Sequence, residues 1–187
     1  MAPKPFSSID VPDEVWEANA RAWRARQDAE ADGGDGGLGD LQRLLQSPQE
    51  EGRRNDVYLD SRGLPTVGIG HLVKPADNLQ VGQRITDAQV DAFFRQDGAE
   101  ALRRAKEQAD AAGIDDPDFT RRLAAVNFQL GAKKWPATFP KTWSLIQSGD
   151  YAGAAKELYN SKWAKQTQHR VDAFRDALLR LPPKHAP

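Results

Sequence analysis

Cysteine is absent from the 187 residues, and only three histidines occur, His71, His169 and His185. Without thiols the fold depends on no disulfide, suits reducing and oxidising compartments alike, and has no cysteine nucleophile. With so few histidines a metal site of the common types is not expected, and no cofactor is implied. Long apolar runs are missing as well: nothing approaches the roughly 20 residues of a membrane span, so stable membrane insertion is not expected. The opening Met-Ala-Pro-Lys-Pro-Phe-Ser-Ser lacks the apolar stretch of a secretory signal, so the chain is expected to be made in the cytoplasm without entering the general export route.

Net charge is also nearly absent, with 26 basic against 27 acidic side chains. A pI near 6.3 gives no support to nucleic acid as a partner. The charges are unevenly placed. Residues 1–40 carry 4 basic and 9 acidic groups, residues 41–97 carry 7 and 8, and residues 98–187 carry 15 and 10. The carboxy-terminal part is therefore the basic one, suited to drawing in an anionic polymer. A hydrophobic fraction of 39% with 28% charge is ordinary for a water-soluble globular chain.

The most informative stretch is Glu51-Gly-Arg-Arg-Asn-Asp-Val-Tyr-Leu-Asp60-Ser-Arg-Gly-Leu-Pro-Thr66-Val-Gly-Ile-Gly-His71. Ser61-Arg62-Gly63 offers a turn between Val57-Tyr58-Leu59 and Thr66-Val67-Gly68-Ile69, which predicts a hairpin. Its tip would carry Asp60 beside Thr66. Gly52 is expected to end a helix, leaving Glu51 in the last turn above the same cleft. Cleaving a glycosidic bond takes one carboxylic acid to protonate the leaving oxygen and a second group to attack or to orient water. Glu51 and Asp60 are the candidate pair, and the Thr66 hydroxyl, donor and acceptor at once, could hold a water beside Asp60. Taken singly, each residue has a plainer reading: a helix-end carboxylate, an Asx turn, a strand threonine. Gly68 and Gly70 alternate along the second strand, where a ligand or another backbone could approach closely.

Over Glu51 to His71, including Gly52, Tyr58, Asp60, Gly63, Thr66 and Gly68-Ile69-Gly70-His71, the chain resembles the phage-type lysozymes, muramidases of the T-even-phage endolysin kind. The similarity returns at Ile85-Thr86 with Phe94 and Gln96-Asp97, at Phe128-Gln129-Leu130-Gly131, and at Ser161 to Arg170. It spans roughly residues 41 to 181. Several separated motifs in order make the match specific.

The resemblance implies that Glu51 is the general acid and that Asp60 and Thr66 position the attacking water, with inversion at the anomeric carbon. It places Arg170 near Glu51, puts Gln129 and Thr167 near bound sugar, and pairs His71 with the acid Asp97 as a structural ion pair. Glu50 is read as a decoy one position before the motif, and Asp56 has no counterpart in it. Trp143 and Trp163 are read as packing residues. The implied activity is hydrolysis of the β-1,4 bond between N-acetylmuramic acid and N-acetylglucosamine in peptidoglycan, acting in the periplasm or wall and causing lysis. Two alternatives stand beside it: a lytic transglycosylase that leaves anhydro ends, and a non-catalytic wall-binding or virion structural module. An endolysin, a virion lysozyme and a delivered toxin would all carry these motifs.

Punctuation along the chain predicts three parts. Residues 1–40 form an acidic helical arm, with Val15, Trp16, Ala20 and Trp23 as its apolar stripe, followed by the glycine-rich linker Asp32 to Gly39. The arm is expected to pack on the body or to dock a protein partner or inhibitor. Residues 41–97 form a first lobe with the hairpin, and residues 98–187 a helical second lobe. Asp40 is expected to cap a helix through Leu41, Leu44 and Leu45, and Thr86 to cap one from Asp87 to about Ala112, with Gly98 as a point of flexure. Shorter helices are predicted around 121–130, 140–147, 151–159 and 169–181. The fold class is thus α+β, mainly α: a two-lobed, phage-lysozyme-like fold with a small hairpin sheet and a long interlobe helix.

Overall fold

A computed structural model describes residues 37–131 and 134–182. The predicted arm helix lies outside the described residues. The chain enters through α1, Leu38–Leu45, continues into β1 (Arg54–Leu59), β2 (Pro65–Gly68) and β3 (His71–Leu72), and then a single 3-10 turn, Pro75–Asp77. The long helix α2, Asp87–Ala111, follows. The second lobe is helical: α3 (Pro117–Leu130), α4 (Trp135–Thr138), α5 (Pro140–Ser148), α6 (Tyr151–Leu158), α7 (Lys162–Gln166) and α8 (Gln168–Arg180). No helix of the described residues is long and apolar enough to cross a membrane.

The α1 helix differs from expectation at both ends. It starts at Leu38, so Leu38 and Gly39 of the expected linker are helical, and Asp40 lies in the first turn, paired with Arg43, instead of capping. It stops at Leu45, and Glu51 therefore sits in the turn beyond a helix, not in its last turn. Pro48 explains the early stop, because it has no N–H to donate back to Leu44 and its ring would strike that turn. The chain instead folds over, with Glu51 N–H donating to Leu45 O at 3.0 Å and Gly52 N–H to Ser47 O at 3.1 Å.

The sheet is antiparallel in the order β1-β2-β3, with Tyr58 opposite Thr66, Leu59 opposite Pro65 and Val67 opposite His71. The hairpin turn closes through Asp60 N–H to Leu64 O and Gly63 N–H to Asp60 O, both 2.9 Å. The third strand, only two residues long, carries no sequence signal of its own.

Helix α2 begins at the Thr86 capping box, in which Gln89 N–H donates to the Thr86 hydroxyl and Thr86 N–H to the Gln89 side chain. Its 25 residues span about 37 Å at 1.5 Å each, long enough to join two lobes. Ala101, Ala105 and Ala109 are buried along it and let α3 approach closely. Gly98 has a packing reason: a Cβ there would lie 2.7 Å from the Phe94 ring, so the glycine makes room for that aromatic.

One continuous buried cluster runs through the molecule. It extends from Leu41, Leu45 and Phe94 to Phe119, Trp135, Leu158 and Phe174. Removing each such side chain from water contributes about 1.5 to 3 kcal/mol, so the cluster fixes the turn carrying Glu51 against the second lobe.

Candidate active site

Glu51 is held from two sides. Arg170 of α8 donates from Nη1 to its Oε1 at 2.7 Å. On the other side lies Gly70, in the turn between β2 and β3, with φ of +70°. A Cβ at Gly70 would stand 3.0 Å from Glu51 Oε2 and 3.1 Å from its Cγ, so only a glycine lets the carboxylate lie against this backbone. Gly68 serves a similar purpose elsewhere: a Cβ there would lie 3.2 Å from Val90 Cγ1 of α2. Gly70 also borders an open cavity of about 290 Å³, lined further by Leu72, Lys74, Asn127, Phe128 and Gly131.

Glu50 is no bystander in the structure. Its side chain is only 8% exposed, with Oε2 3.2 Å from Arg170 Nε and Oε1 3.4 Å from Arg122 Nη1 of α3. The Arg170 Nε contact is an ion-pair distance that lacks hydrogen-bond alignment. Arg170 therefore lies between two adjacent carboxylates, and a narrow cavity of about 10 Å³ opens beside it, bordered by Gln129 and Trp163. Adjacent acids give no hint in sequence of which will be buried, and nothing flags Arg122.

Asp60 sits at the hairpin tip. Its Oδ1 accepts the amide N–H groups of Arg62 at 2.8 Å and Leu64 at 2.9 Å, and its Oδ2 accepts Arg62 Nε at 3.2 Å and Nη2 at 3.1 Å. The Leu64 amide is the largest influence holding the carboxyl below its ordinary range; a smaller burial effect opposes it, and the Arg62 amide and guanidinium reinforce it. Thr66, 6% exposed, donates its hydroxyl to Leu64 O at 3.1 Å, which leaves its oxygen free to accept. Tyr58, opposite Thr66, reports on both acids. Its phenol is pushed up first by burial and then by the charge of Glu51, with Arg54 opposing and Asp60 adding. The phenol thus feels the charge of both carboxylates.

Gln129 and Thr167 meet across the second lobe. Gln129 Nε2 donates to Thr167 Oγ1 at 3.4 Å, while its Oε1 accepts Trp163 Nε1 at 3.1 Å. Trp163 is buried, and Trp143 packs edge-on against Trp135 with ring centroids 5.3 Å apart.

His71, 2% exposed, is enclosed on three sides. Its Nδ1 lies 2.5 Å from Asp97 Oδ2, its Nε2 lies 3.1 Å from Asp77 Oδ2, and its ring stacks on Phe93 at 4.1 Å. Burial alone would lower its pKa, yet hydrogen bonding and charge from Asp97, then Asp77, outweigh it, and the net shift is upward. Asp77 has no sequence signal; it reaches the ring because the 3-10 turn at Pro75 bends the chain back.

The family model for phage lysozymes matches residues 48–177, the interval that contains every group just described. The chain belongs to the phage lysozyme family. Among curated relatives of this lysozyme-family chain, "Probable T4-type lysozyme 1" of Dictyostelium discoideum is 29% identical over 143 residues, covering 65% of this chain and 84% of that protein. "Peptidoglycan hydrolase gp36" of Pseudomonas phage phiKMV is 30% identical over 126 residues, or 67% of this chain and 14% of that one. "Pre-baseplate central spike protein Gp5" of Enterobacteria phage T4 is 29% identical over 144 residues, 66% of this chain and 25% of the relative. The same lysozyme unit is thus similar both to a protein hardly longer than itself and to small parts of much larger phage proteins.

Proposed function

We propose that the chain is a peptidoglycan hydrolase that cleaves the β-1,4 bond between N-acetylmuramic acid and N-acetylglucosamine. Glu51 protonates the glycosidic oxygen as the bond breaks, and a water held by Asp60 and Thr66 adds at the anomeric carbon from the opposite face, giving a reducing end with inverted configuration. Membership of the lysozyme family and the phiKMV relative, named a peptidoglycan hydrolase, support the substrate class. The observation that carries the mechanism is Glu51 lying against the bare backbone of Gly70, which also borders the cavity of about 290 Å³. That volume is close to the lower end of ligand sites, roughly 300 to 1,000 Å³. Arg170 fixes the orientation of the acid, and Gln129 with Thr167 offers an amide and a hydroxyl to sugar substituents. The basic second lobe draws in the anionic polymer.

One observation favours a second reading. The oxygens of Asp60 are occupied by four donors, and a carboxylate so engaged suits a lytic transglycosylase, in which the muramyl hydroxyl attacks and no water is needed. Digestion of purified peptidoglycan by the wild type and Glu51→Gln, with mass analysis of the products, separates the two. Reducing muramic ends made by the wild type and not by the variant are expected; anhydro ends would transfer the assignment to the transglycosylase. Full activity in Glu51→Gln would refute the acid.

A further inference from the structure

An ionised carboxylate offers about four lone-pair positions, and Asp60 has four donors on it, so it has no position left for a water. The donors are unequal. The amides of Arg62 and Leu64 belong to the backbone of the closed turn and cannot leave without opening the hairpin. The Arg62 guanidinium sits on a side chain that is 71% exposed and touches Oδ2 alone. It supplies two of the four donors and is the group that can be exchanged.

We propose that Arg62 covers Asp60 in the resting protein and is drawn off by an anionic group of the bound strand, so that the substrate's own carboxylates free Oδ2 for the attacking water. This rests on the hydrolytic reading above, in which Asp60 holds that water. Peptidoglycan carries carboxylates on its stem peptides close to the glycan, and moving a guanidinium from one solvated carboxylate to another exchanges like for like. A strand without such groups offers no exchange, and Arg62 stays on Asp60. Asp60 remains ionised once uncovered, because the Leu64 amide is the chief cause of its lowered pKa. Arg62 thereby becomes a residue of substrate selection acting through Asp60.

The effect should be modest, since an exposed ion pair changes an equilibrium by about fivefold at most. The test compares kcat and KM of the wild type, Arg62→Ala and Arg62→Gln. The substrates are soluble, uncross-linked glycan strands bearing stem peptides, and the same strands with their carboxylates converted to neutral amides. Amidation should lower wild-type kcat by about fivefold and that of both variants by less than about twofold. KM should rise alike in all three proteins, because attraction by the basic second lobe is common to them. An equal loss of kcat in wild type and variants, or no loss in the wild type, overturns the proposal. Asp60→Asn is assayed in parallel. Full kcat in Asp60→Asn would show that the water-holding reading has failed and the cover with it, whereas a slow Asp60→Asn with equal amidation losses would remove the cover alone.

Discussion

The two acids of the site live in opposite surroundings. Glu51 is clasped between Arg170 and the Gly70 backbone, with the buried Glu50 and Arg122 behind it. Asp60 stands at a hairpin tip, held by two amides of its own turn and one solvent-exposed guanidinium. An acid that must deliver a proton along one line benefits from a rigid socket. A group that must admit a water and let products leave benefits from a partner that can move. The clasped acid depends on residues from four separate parts of the chain, the acid at the tip on five consecutive residues.

The contrast can be broken most sharply at Glu51 itself. Glu51→Gln keeps the size of the side chain but cannot donate the proton, and kcat on peptidoglycan strands should fall by about 10² to 10⁴ with the folded far-ultraviolet spectrum unchanged. Behind it, Glu50→Ala would leave Arg170 with Glu51 as its carboxylate partner and Arg122 facing an emptied site. The loss should therefore stay below the roughly 3 kcal/mol of a buried charge left unpaired, at about 1 to 2 kcal/mol read from the urea midpoint, and a midpoint equal to the wild type would show that Glu50 is idle.

Next in size is the ion pair under the sheet. Asp97→Asn removes the negative charge from the carboxylate that pairs with His71, turning a charge-assisted hydrogen bond into an ordinary one, a loss of about 1 to 2 kcal/mol where His71 is protonated. His71 has a raised folded pKa, so its contribution is complete below the unfolded value of about 6.5 and fades as pH rises through the higher folded value. The Tm gap between wild type and Asp97→Asn should therefore be widest near pH 5.5 and narrow towards pH 9; a gap independent of pH would count against the pair. Gly70→Ala should cost about 1 kcal/mol through its positive φ, and should lower kcat as well by pushing on Glu51. Arg62→Ala, at the exposed end of the comparison, should leave the urea midpoint unmoved, in keeping with an exposed pair.

The difference between the acids also explains what could be read from sequence. The hairpin tip was legible because its determinants are consecutive: Asp60, the turn glycine Gly63 and Thr66 lie within seven residues. Helix α2 was legible for the same reason, its cap and its repeat being local. The socket of Glu51 was not. That Glu50 is buried, and that Arg122 reaches it, depends on how α3 and α8 pack, and the proximity of Arg170 was suggested only by family resemblance. Gly98 was read for bending because a lone glycine in a helix permits bending as well as packing, and its packing role shows only in the position of Phe94. The early end of α1 was signalled by Pro48, but Gly52 offered a competing stop four residues later.

The turn that holds Asp60 does so with main-chain N–H groups at positions 62 and 64, whatever side chains other than proline those positions carry. Asp60 at the tip thus keeps its main-chain anchors independently of its neighbours' side chains, and Ser61, Arg62 and Leu64 form a short cassette whose side chains can drift without removing those two bonds. A lineage could retune its preference for wall chemistry by point changes there while its folding stability stayed constant, and a saturation library at these three positions would be the economical place to begin engineering such a preference.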